Sequence, residues 1–180
     1  AKLMKSMTEQ ILEISKTQHL QWSDLKPVCL STLVSDYCQG QERKRGESPI
    51  AFEVSIQPNL WIQGDAVLVT RMLDNLLSNA VKFTKTKVAI HLVASPAGAV
   101  LKVADDGIGI APDHLSKIWD RFYQVEDSRN KGLNSGIGLG LSFIKDIADL
   151  HRAEVKIISE EGKGSLFRVT FPQIQDKTSV

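Results

Sequence analysis

The chain has 180 residues, of which 42% are hydrophobic and 24% charged, a balance that argues against wholesale disorder. Lys and Arg number 22 against 21 Asp and Glu, so the net charge is +1 and we expect no nucleic acid partner. No apolar run reaches the ~18 residues that a membrane span needs, and the polar, charged N-terminus does not fit a signal peptide. Cys29 and Cys38 have neither the number nor the spacing of a disulfide framework or a zinc site, so we expect two reduced thiols. Of the 12 glycines, many fall in two short stretches.

The first segment, residues 1–21, has the pattern of an amphipathic helix. Met4, Met7, Ile11 and Ile14 recur at three- and four-residue steps, which is the spacing of an a/d seam. We interpret the segment as the end of a longer helix. A helix folded back onto the domain is the alternative.

The middle of the chain alternates between strand and helix patterns. We expect residues 25–46 to be a connector followed by a helix, 51–56 to be a strand, and 61–62 to be a second, short strand. Asp65 is a suitable N-cap for a helix that ends near Phe83. Two strands, 88–94 and 99–104, flank a turn and predict a hairpin.

The C-terminal part continues with a polar, aromatic-dotted stretch of about 25 residues, which is long enough to suggest a functional lid. A helix over 139–151 and strands over 154–159 and 165–171 follow, and we expect 173–180 to be a frayed tail. This order predicts an α+β fold with one mostly antiparallel sheet and its helices on one face.

One edge of the helix that begins at Asp65 carries polar side chains beside its apolar face. Arg71, Asn75, Asn79 and Phe83 are four residues apart, and Lys82 lies three beyond Asn79. Asparagine is a poor helix former, so two on one edge favour a role in binding. An amide oxygen could bind a metal ion while Lys82 reaches a phosphate. A solvated polar face is the alternative.

The first glycine stretch is Asp105-Asp106-Gly107-Ile108-Gly109-Ile110, directly after an apolar strand. Glycine permits backbone conformations closed to other residues and lets a flat ligand approach. An Asp at the mouth of the turn can accept a hydrogen bond from an exocyclic amine. A tight turn after an edge strand is the alternative.

The second glycine stretch, Gly136-Ile137-Gly138-Leu139-Gly140-Leu141, opens the last predicted helix. Backbone N–H groups at a helix N-terminus suit an anion. The third glycine of a Rossmann fingerprint and the Lys-Ser/Thr of a Walker loop are both missing, so we predict a phosphate site of another kind.

Taken together, these stretches resemble the boxes of sensor histidine kinases. Residues 75–84 resemble the N box, 105–110 the first glycine box, 118–123 the F box and 136–141 the second glycine box; Gly162, Gly164 and Phe167 resemble the closing strand pair. The order and spacing agree over about residues 25–172. The resemblance implies the Bergerat-type ATP-binding fold, a two-layer α/β sandwich shared with gyrase-like topoisomerases, mismatch-repair ATPases and large heat-shock chaperones.

The resemblance also implies a role for each matching residue, with ATP and Mg²⁺ as cofactors. Asp105 would accept the adenine amine, Asn79 would bind Mg²⁺, and Asn75 and Lys82 would lie near the phosphates. Phe122 and Tyr123 would anchor the lid by apolar packing. Arg129 and Lys131 would either meet the γ-phosphate or be solvated loop cations. The remaining implied contacts are Gly107, Gly109 and Ile110 around the adenine, and Gly136, Gly138, Leu139 and Gly140 at the phosphates.

The chain departs from its apparent relatives at three points. The ATPase cousins usually carry a Glu base four residues before the metal-binding Asn, where this chain has Asn75; an amide cannot take a proton at pH 7. The family's phosphoacceptor His followed by Glu or Asp is absent, and the context of His19 does not resemble it. His151-Arg152-Ala153 stands where relatives often have His-Gly-Gly, which puts the geometry of that turn in doubt.

The function implied is transfer of the γ-phosphoryl group of ATP to a histidine on a dimerisation hairpin. By the same resemblance, residues 1–24 would be the end of that hairpin and a linker, 25–173 the catalytic domain and 174–180 a tail. The implied partners are that hairpin, a response regulator and a second copy in a homodimer. The whole protein would be anchored in a membrane with this domain in the cytoplasm. The alternatives are a Bergerat-fold ATPase, which Asn75 opposes, and a degenerate module that only senses ATP.

Overall fold

The computed structural model of the chain describes residues 20–46, 48–125, 138–172 and 174. Within these ranges the chain forms four α-helices, seven strands and a 3-10 turn at Trp22–Asp24. The helices are α1 (Leu30–Arg45), α2 (Ala66–Phe83), α3 (Pro112–Leu115) and α4 (Gly140–Leu150). The strands are β1 (Lys26–Cys29), β2 (Ala51–Ile56), β3 (Trp61–Gly64), β4 (Lys87–Ser95), β5 (Gly98–Asp105), β6 (Glu154–Glu160) and β7 (Gly164–Phe171).

Five strands form the main sheet in the order β2-β4-β5-β7-β6. The β2–β4 pair is parallel and the other three pairs are antiparallel, with β4 and β5 joined as the expected hairpin. Successive side chains of a strand point to opposite faces, so each strand contributes alternate residues to the core. The helices pack on one face, as predicted for an α+β sandwich. The buried face includes Val88, Ile90, Leu92, Leu101, Val103, Phe167, Val169 and Phe171.

Helix α2 runs through the middle of the helical layer. Asp65 caps its N-terminus, because its carboxylate accepts the backbone N–H groups of Val67 and Leu68 at 2.9 and 3.0 Å. Seven side chains of its apolar face are buried, from Leu68 to Ala80, and the helix packs on both α4 and β5. The predicted N-cap and the predicted end at Phe83 are both confirmed.

The prediction for residues 26–29 was wrong. This segment, predicted to be a connector, is strand β1 and pairs with β3 in a separate two-stranded sheet. The short strand at 61–62 extends to Gly64 because β1 pairs along its whole length. Neither strand belongs to the main sheet.

The turn after α4 holds a non-glycine residue, Arg152, in a backbone conformation that favours glycine. Arg152 has φ +51°, in the left-handed region where an L-residue carries a steric cost. Its guanidinium lies over the Trp22 ring, 4.7 Å from the centroid, which places a favourable cation–π contact on the strained residue.

Some sequence-based predictions fall on residues outside the described ranges. Of the predicted first helix, only residues 20 and 21 are described, and Gln21 is extended. Of the predicted tail, Ile174 is described, and its N–H donates to the carbonyl of Trp61. No helix within the described ranges is long and apolar enough to cross a membrane.

Candidate nucleotide site

Helix α2 brings the two glycine stretches together, because each of them contacts a different turn of this helix. A Cβ at Gly107 would lie 2.1 Å from the Phe83 carbonyl oxygen, and one at Gly140 would lie 2.8 Å from Asn75 Oδ1. Asn75 and Phe83 lie on one edge of the helix, about 12 Å apart along its axis. Asn79 is midway between them. The predicted N box therefore forms the floor between the two glycine boxes.

The first glycine stretch is built by close approach of backbones. Gly107 has no room for a side chain against Phe83, and Gly109 has φ +67° with a Cβ position only 2.0 Å from the Glu160 carbonyl oxygen. The Ile110 N–H donates to Ser159 Oγ at 2.8 Å. These contacts hold the turn between the end of α2 and strand β6. Its glycines are therefore needed for chain packing, in addition to leaving room for a ligand.

Asp105 and Asp106 are neighbours in sequence but have opposite electrostatic environments. Burial raises the pKa of the Asp105 carboxyl, although the backbone N–H groups of Gly107 and Ser165 partly oppose the shift. The pKa of Asp106 is held far below its usual range, because the hydroxyls of Thr84 and Thr86 and nearby backbone N–H groups donate to it. The structure thus leaves Asp105 as the half-buried carboxylate beside the glycine turn.

Asp106 is a site residue whose role the sequence analysis missed. Its Oδ1 accepts the N–H groups of Lys85, Thr86 and Lys87 at 2.9–3.0 Å and so shapes the loop between α2 and β4. The signal in the sequence was the pair Thr84 and Thr86 in the short loop 84–87, because short polar side chains commonly form hydrogen bonds with the backbone of a loop. Their partner lies about twenty positions away and cannot be read from local spacing.

The two asparagines of α2 differ in their hydrogen bonding. Asn75 Nδ2 donates to the Arg71 carbonyl at 2.9 Å, which holds this amide along the helix. Asn79 is half-buried, and its amide makes no hydrogen bond with the described part of the chain. Lys82 is exposed, with its ammonium 4.9 Å from the centroid of the Phe83 ring.

An Mg²⁺ ion would fit beside Asn79. The free amide oxygen offers one neutral ligand on the floor between the glycine stretches, and protein-bound Mg²⁺ commonly takes one or two protein oxygens with substrate phosphates and waters. Among the described residues there is no group of three or more His, Cys, Asp or Glu side chains placed to hold a metal ion.

The two described ends of the predicted lid meet directly. The Phe122 N–H donates to the Gly138 carbonyl at 2.8 Å, and a Cβ on Gly138 (φ +77°) would lie 2.7 Å from the carbonyl carbon of Phe122. Leu139 is buried below them. Arg129, Lys131 and Gly136 lie outside the described residues.

The packing expected of Phe122 is not what the structure has. Its side chain is 60% exposed and its φ is +67°, so Phe122 contributes a backbone bend and not an apolar anchor. Tyr123 is held by a hydrogen bond between its hydroxyl and His114 Nδ1 at 2.6 Å. The apolar anchors are earlier in the same box: Ile118 is buried, and Trp119 packs edge-on against Phe167.

The described residues place a half-buried carboxylate, Asp105, at one end of helix α2 and the backbone of the second glycine stretch near its middle, with the Asn79 amide between them and unbonded within the described part of the chain. Residues 64–175 match the family model of histidine kinase-, DNA gyrase B- and HSP90-like ATPases. The chain belongs to this family.

Its similarity is to sensor histidine kinases in particular. It is 31% identical over 175 residues to the phosphate regulon sensor protein PhoR of Pseudomonas aeruginosa, covering 96% of this chain and 39% of that protein. It superimposes on the mycobacterial sensor histidine kinase MprB with a TM-score of 0.69 at 25% identity, covering 83% of this chain and 97% of that one. Full-length ShkA, in a complex with AMPPNP, matches with a TM-score of 0.77 at 26% identity, covering 94% of this chain and 36% of ShkA. The chain therefore spans well under half the length of PhoR and ShkA.

Proposed function

We propose that this chain is the ATP-binding catalytic unit of a sensor histidine kinase, which transfers the γ-phosphoryl group of Mg-ATP to a histidine on a dimerisation hairpin. The observation that carries this proposal is the convergence of both glycine stretches on α2, with the Asn79 amide, unbonded within the described part of the chain, between them. The family match, the similarity to sensor kinases and the AMPPNP complex of ShkA support it.

The adenine end of the cleft is assigned to Asp105 with Gly107, Gly109 and Ile110. A carboxylate accepts a hydrogen bond from an amine more strongly than a neutral group does. The half-buried position of Asp105 removes competing water and so favours a ligand that brings a donor. The glycine turn leaves the base room to lie flat.

The phosphate end is assigned to Asn79 and Lys82 with the glycines that open α4. Mg²⁺, when bound through Asn79, would neutralise charge on the phosphates. The Lys82 ammonium sits one turn further along the same helix and can swing from Phe83 toward an anion. The first backbone N–H groups of α4 have no partner inside the helix and suit phosphate oxygens.

The site is suited to transfer and not to hydrolysis. At the position where the ATPases carry a carboxylate base, Asn75 donates to the Arg71 carbonyl and cannot accept a proton from water. A neutral imidazole already presents a lone pair. In the transfer, the histidine nitrogen bonds to the γ-phosphorus while the bond to the bridging oxygen breaks, and ADP leaves.

The remaining assignments follow from the same proposal. Residues 1–24 would be the hairpin end and linker, 25–173 the catalytic domain and 174–180 a tail, with Arg129, Lys131 and Gly136 in the lid. The full-length protein would be a phosphorylated, membrane-anchored homodimer that passes phosphate to a response regulator.

The test is a phosphotransfer assay with γ-labelled ATP, Mg²⁺ and the separately produced histidine-bearing hairpin of the same full-length protein. Label should reach the hairpin histidine and disappear with Asn79→Ala. This substitution should leave the melting temperature nearly unchanged, since Asn79 makes no hydrogen bond in the described part of the chain. Gln39→Ala, which removes an exposed amide on α1, serves as the control and should transfer normally. Label on a serine, or transfer that survives Asn79→Ala, would contradict the proposal.

A further inference from the structure

The face of the main sheet that points away from the helices carries an unusual arrangement of charge. Lys102, Arg168 and Lys156 lie directly opposite one another on β5, β7 and β6 and form what we call the cationic row, and His91 on β4 lies opposite Lys102. Like charges directly opposite each other destabilise a sheet. The opposed cations of this row therefore have a cost to folding.

Acidic neighbours lie beside Lys156 of this row and beside His91. Glu154 pairs with Lys156 at 2.7 Å, and Glu53 pairs with Lys87 and lies 3.7 Å from His91. Glu160, further along the same face, pairs with Lys163. Within the described part of the chain, Lys102 and Arg168 at the centre of the sheet make no salt bridge.

An apolar row lies beside the cationic row on the same face, two residues away along each strand. It consists of Ala89, Ala104, Leu166 and Ile158, again directly opposite one another. Ile158 is 67% exposed although it is β-branched and apolar. The two rows are about 6.7 Å apart, since residues i and i+2 of a strand are separated by two rises.

We propose that the sheet face that points away from the helices, called the open face, binds a helical segment of a partner protein. One edge of that helical segment is acidic and the neighbouring edge is apolar. Neighbouring strands are about 4.8 Å apart, and helix residues three or four positions apart are separated by about 5–6 Å. A helix lying across the strands can therefore place successive carboxylates over Lys102 and Arg168 while its apolar edge covers Leu166 and Ile158.

The charges on this face favour a protein over a phosphate polymer. Glu53, Glu154 and Glu160 stand on the same face and would repel the closely spaced phosphates of nucleic acid or of an anionic membrane. Two separated carboxylates can meet the two central cations without approaching these glutamates. Apolar contacts beside the charges also suit a folded protein segment.

The test uses two synthetic helical peptides, which carry Leu along one edge and either Glu or Gln at every fourth position along the next. Titration of the isotope-labelled 180-residue chain should give NMR shift changes confined to the open face with the Glu peptide. Lys102→Gln combined with Arg168→Gln should weaken its binding about tenfold or more, as loss of two ion pairs predicts. Lys44→Gln combined with Lys117→Gln, which removes the same charge from exposed sites outside the sheet, should bind as the parent chain does.

Several results would overturn the docking proposal without touching nucleotide binding. They are equal binding of the Glu and Gln peptides, shift changes away from the open face, or no binding at millimolar peptide. Duplex DNA and phosphatidylserine vesicles are run in parallel. Binding to either that depends on Lys102 and Arg168, in the absence of peptide binding, would assign the face to phosphates and reject a protein partner.

Discussion

His151 Nε2 accepts the backbone N–H of Asp65 at 3.0 Å and thereby joins the end of α4 to the beginning of α2. Its Nδ1 lies 2.7 Å from the Ile147 carbonyl, which can only accept, so the proton is on Nδ1 and the ring is neutral. The ring is fully buried and packs edge-on against Phe171. The helix that carries Asn75 and Asn79 is thus anchored at its start by this imidazole as well as by the Asp65 cap.

This arrangement makes the stability of the domain sensitive to mild acid. Burial lowers the pKa of His151, so the unfolded chain, with an ordinary pKa of about 6.5, takes up a proton that the folded chain resists. The free energy of unfolding is therefore highest above about pH 6.5. It decreases as the pH falls below this value, by up to about 1.4 kcal/mol per pH unit.

Urea denaturation between pH 7.5 and 5.5 measures this slope. It should be reduced in His151→Gln and retained in His91→Gln, which removes a half-exposed histidine of the open face. A parent chain whose free energy of unfolding does not change over this range would contradict the neutral, buried assignment.

Replacement of the two adjacent aspartates should change stability in opposite directions. Asp105→Asn should raise the melting temperature of the ligand-free chain at pH 7, because burial raises the pKa of this carboxyl and its ionised form is disfavoured in the folded state. The gain should vanish below about pH 3.9, where the unfolded carboxyl is itself protonated. ATP affinity should fall about 10- to 100-fold, the worth of a hydrogen bond to a charged acceptor.

Asp106→Asn is the matched control. It should lower the melting temperature, since the low pKa of Asp106 means that its carboxylate stabilises the fold above the ordinary pKa and loses this effect as pH falls. Calorimetric melting and ATP titration of both variants decide the matter. The same sign for the two changes in melting temperature would contradict the division of roles.

Two glycines in helices should respond differently to alanine. Gly140→Ala places a Cβ 2.8 Å from Asn75 Oδ1, so the amide must turn aside and give up its bond to the Arg71 carbonyl, which should cost about 0.5–1.5 kcal/mol, with loss of ATP binding. Gly40→Ala, in open space on α1, should stabilise by about 0.5–1 kcal/mol. In a double-mutant cycle, Asn75→Ala should relieve much of the cost at Gly140. Independent effects at the two positions would show that they do not touch.

The chain should release almost no phosphate from Mg-ATP by itself. Asn75 is bonded to the Arg71 carbonyl and offers no base to activate water. A coupled phosphate-release assay should give a rate no higher than that of the Asn79→Ala variant. Turnover comparable to that of a gyrase-type ATPase would overturn the assignment to transfer.

Local patterns alone were enough to predict most of the helices and strands, although they missed strand β1 and the short helix α3. The apolar periodicity of α2, the N-cap at Asp65 and the turn between β4 and β5 act over a few residues, and such short-range signals can be read directly. The glycine stretches and the N box were recognisable for the same reason, since each is a contiguous run.

Only the tertiary structure decided how these parts divide their roles. Asp105 and Asp106 are adjacent and chemically identical, yet burial raises the pKa of Asp105 while hydrogen bonds from Thr84 and Thr86 lower that of Asp106. Lys26 and Pro27 favour a connector in the sequence, but pairing with β3 makes their segment a strand. Phe122 is predicted to anchor the lid by apolar packing, but it is Trp119 that packs against Phe167. Burial and strand pairing depend on residues far apart in the chain. No local pattern therefore specifies which of two similar side chains will be buried and which will find a hydrogen-bond partner.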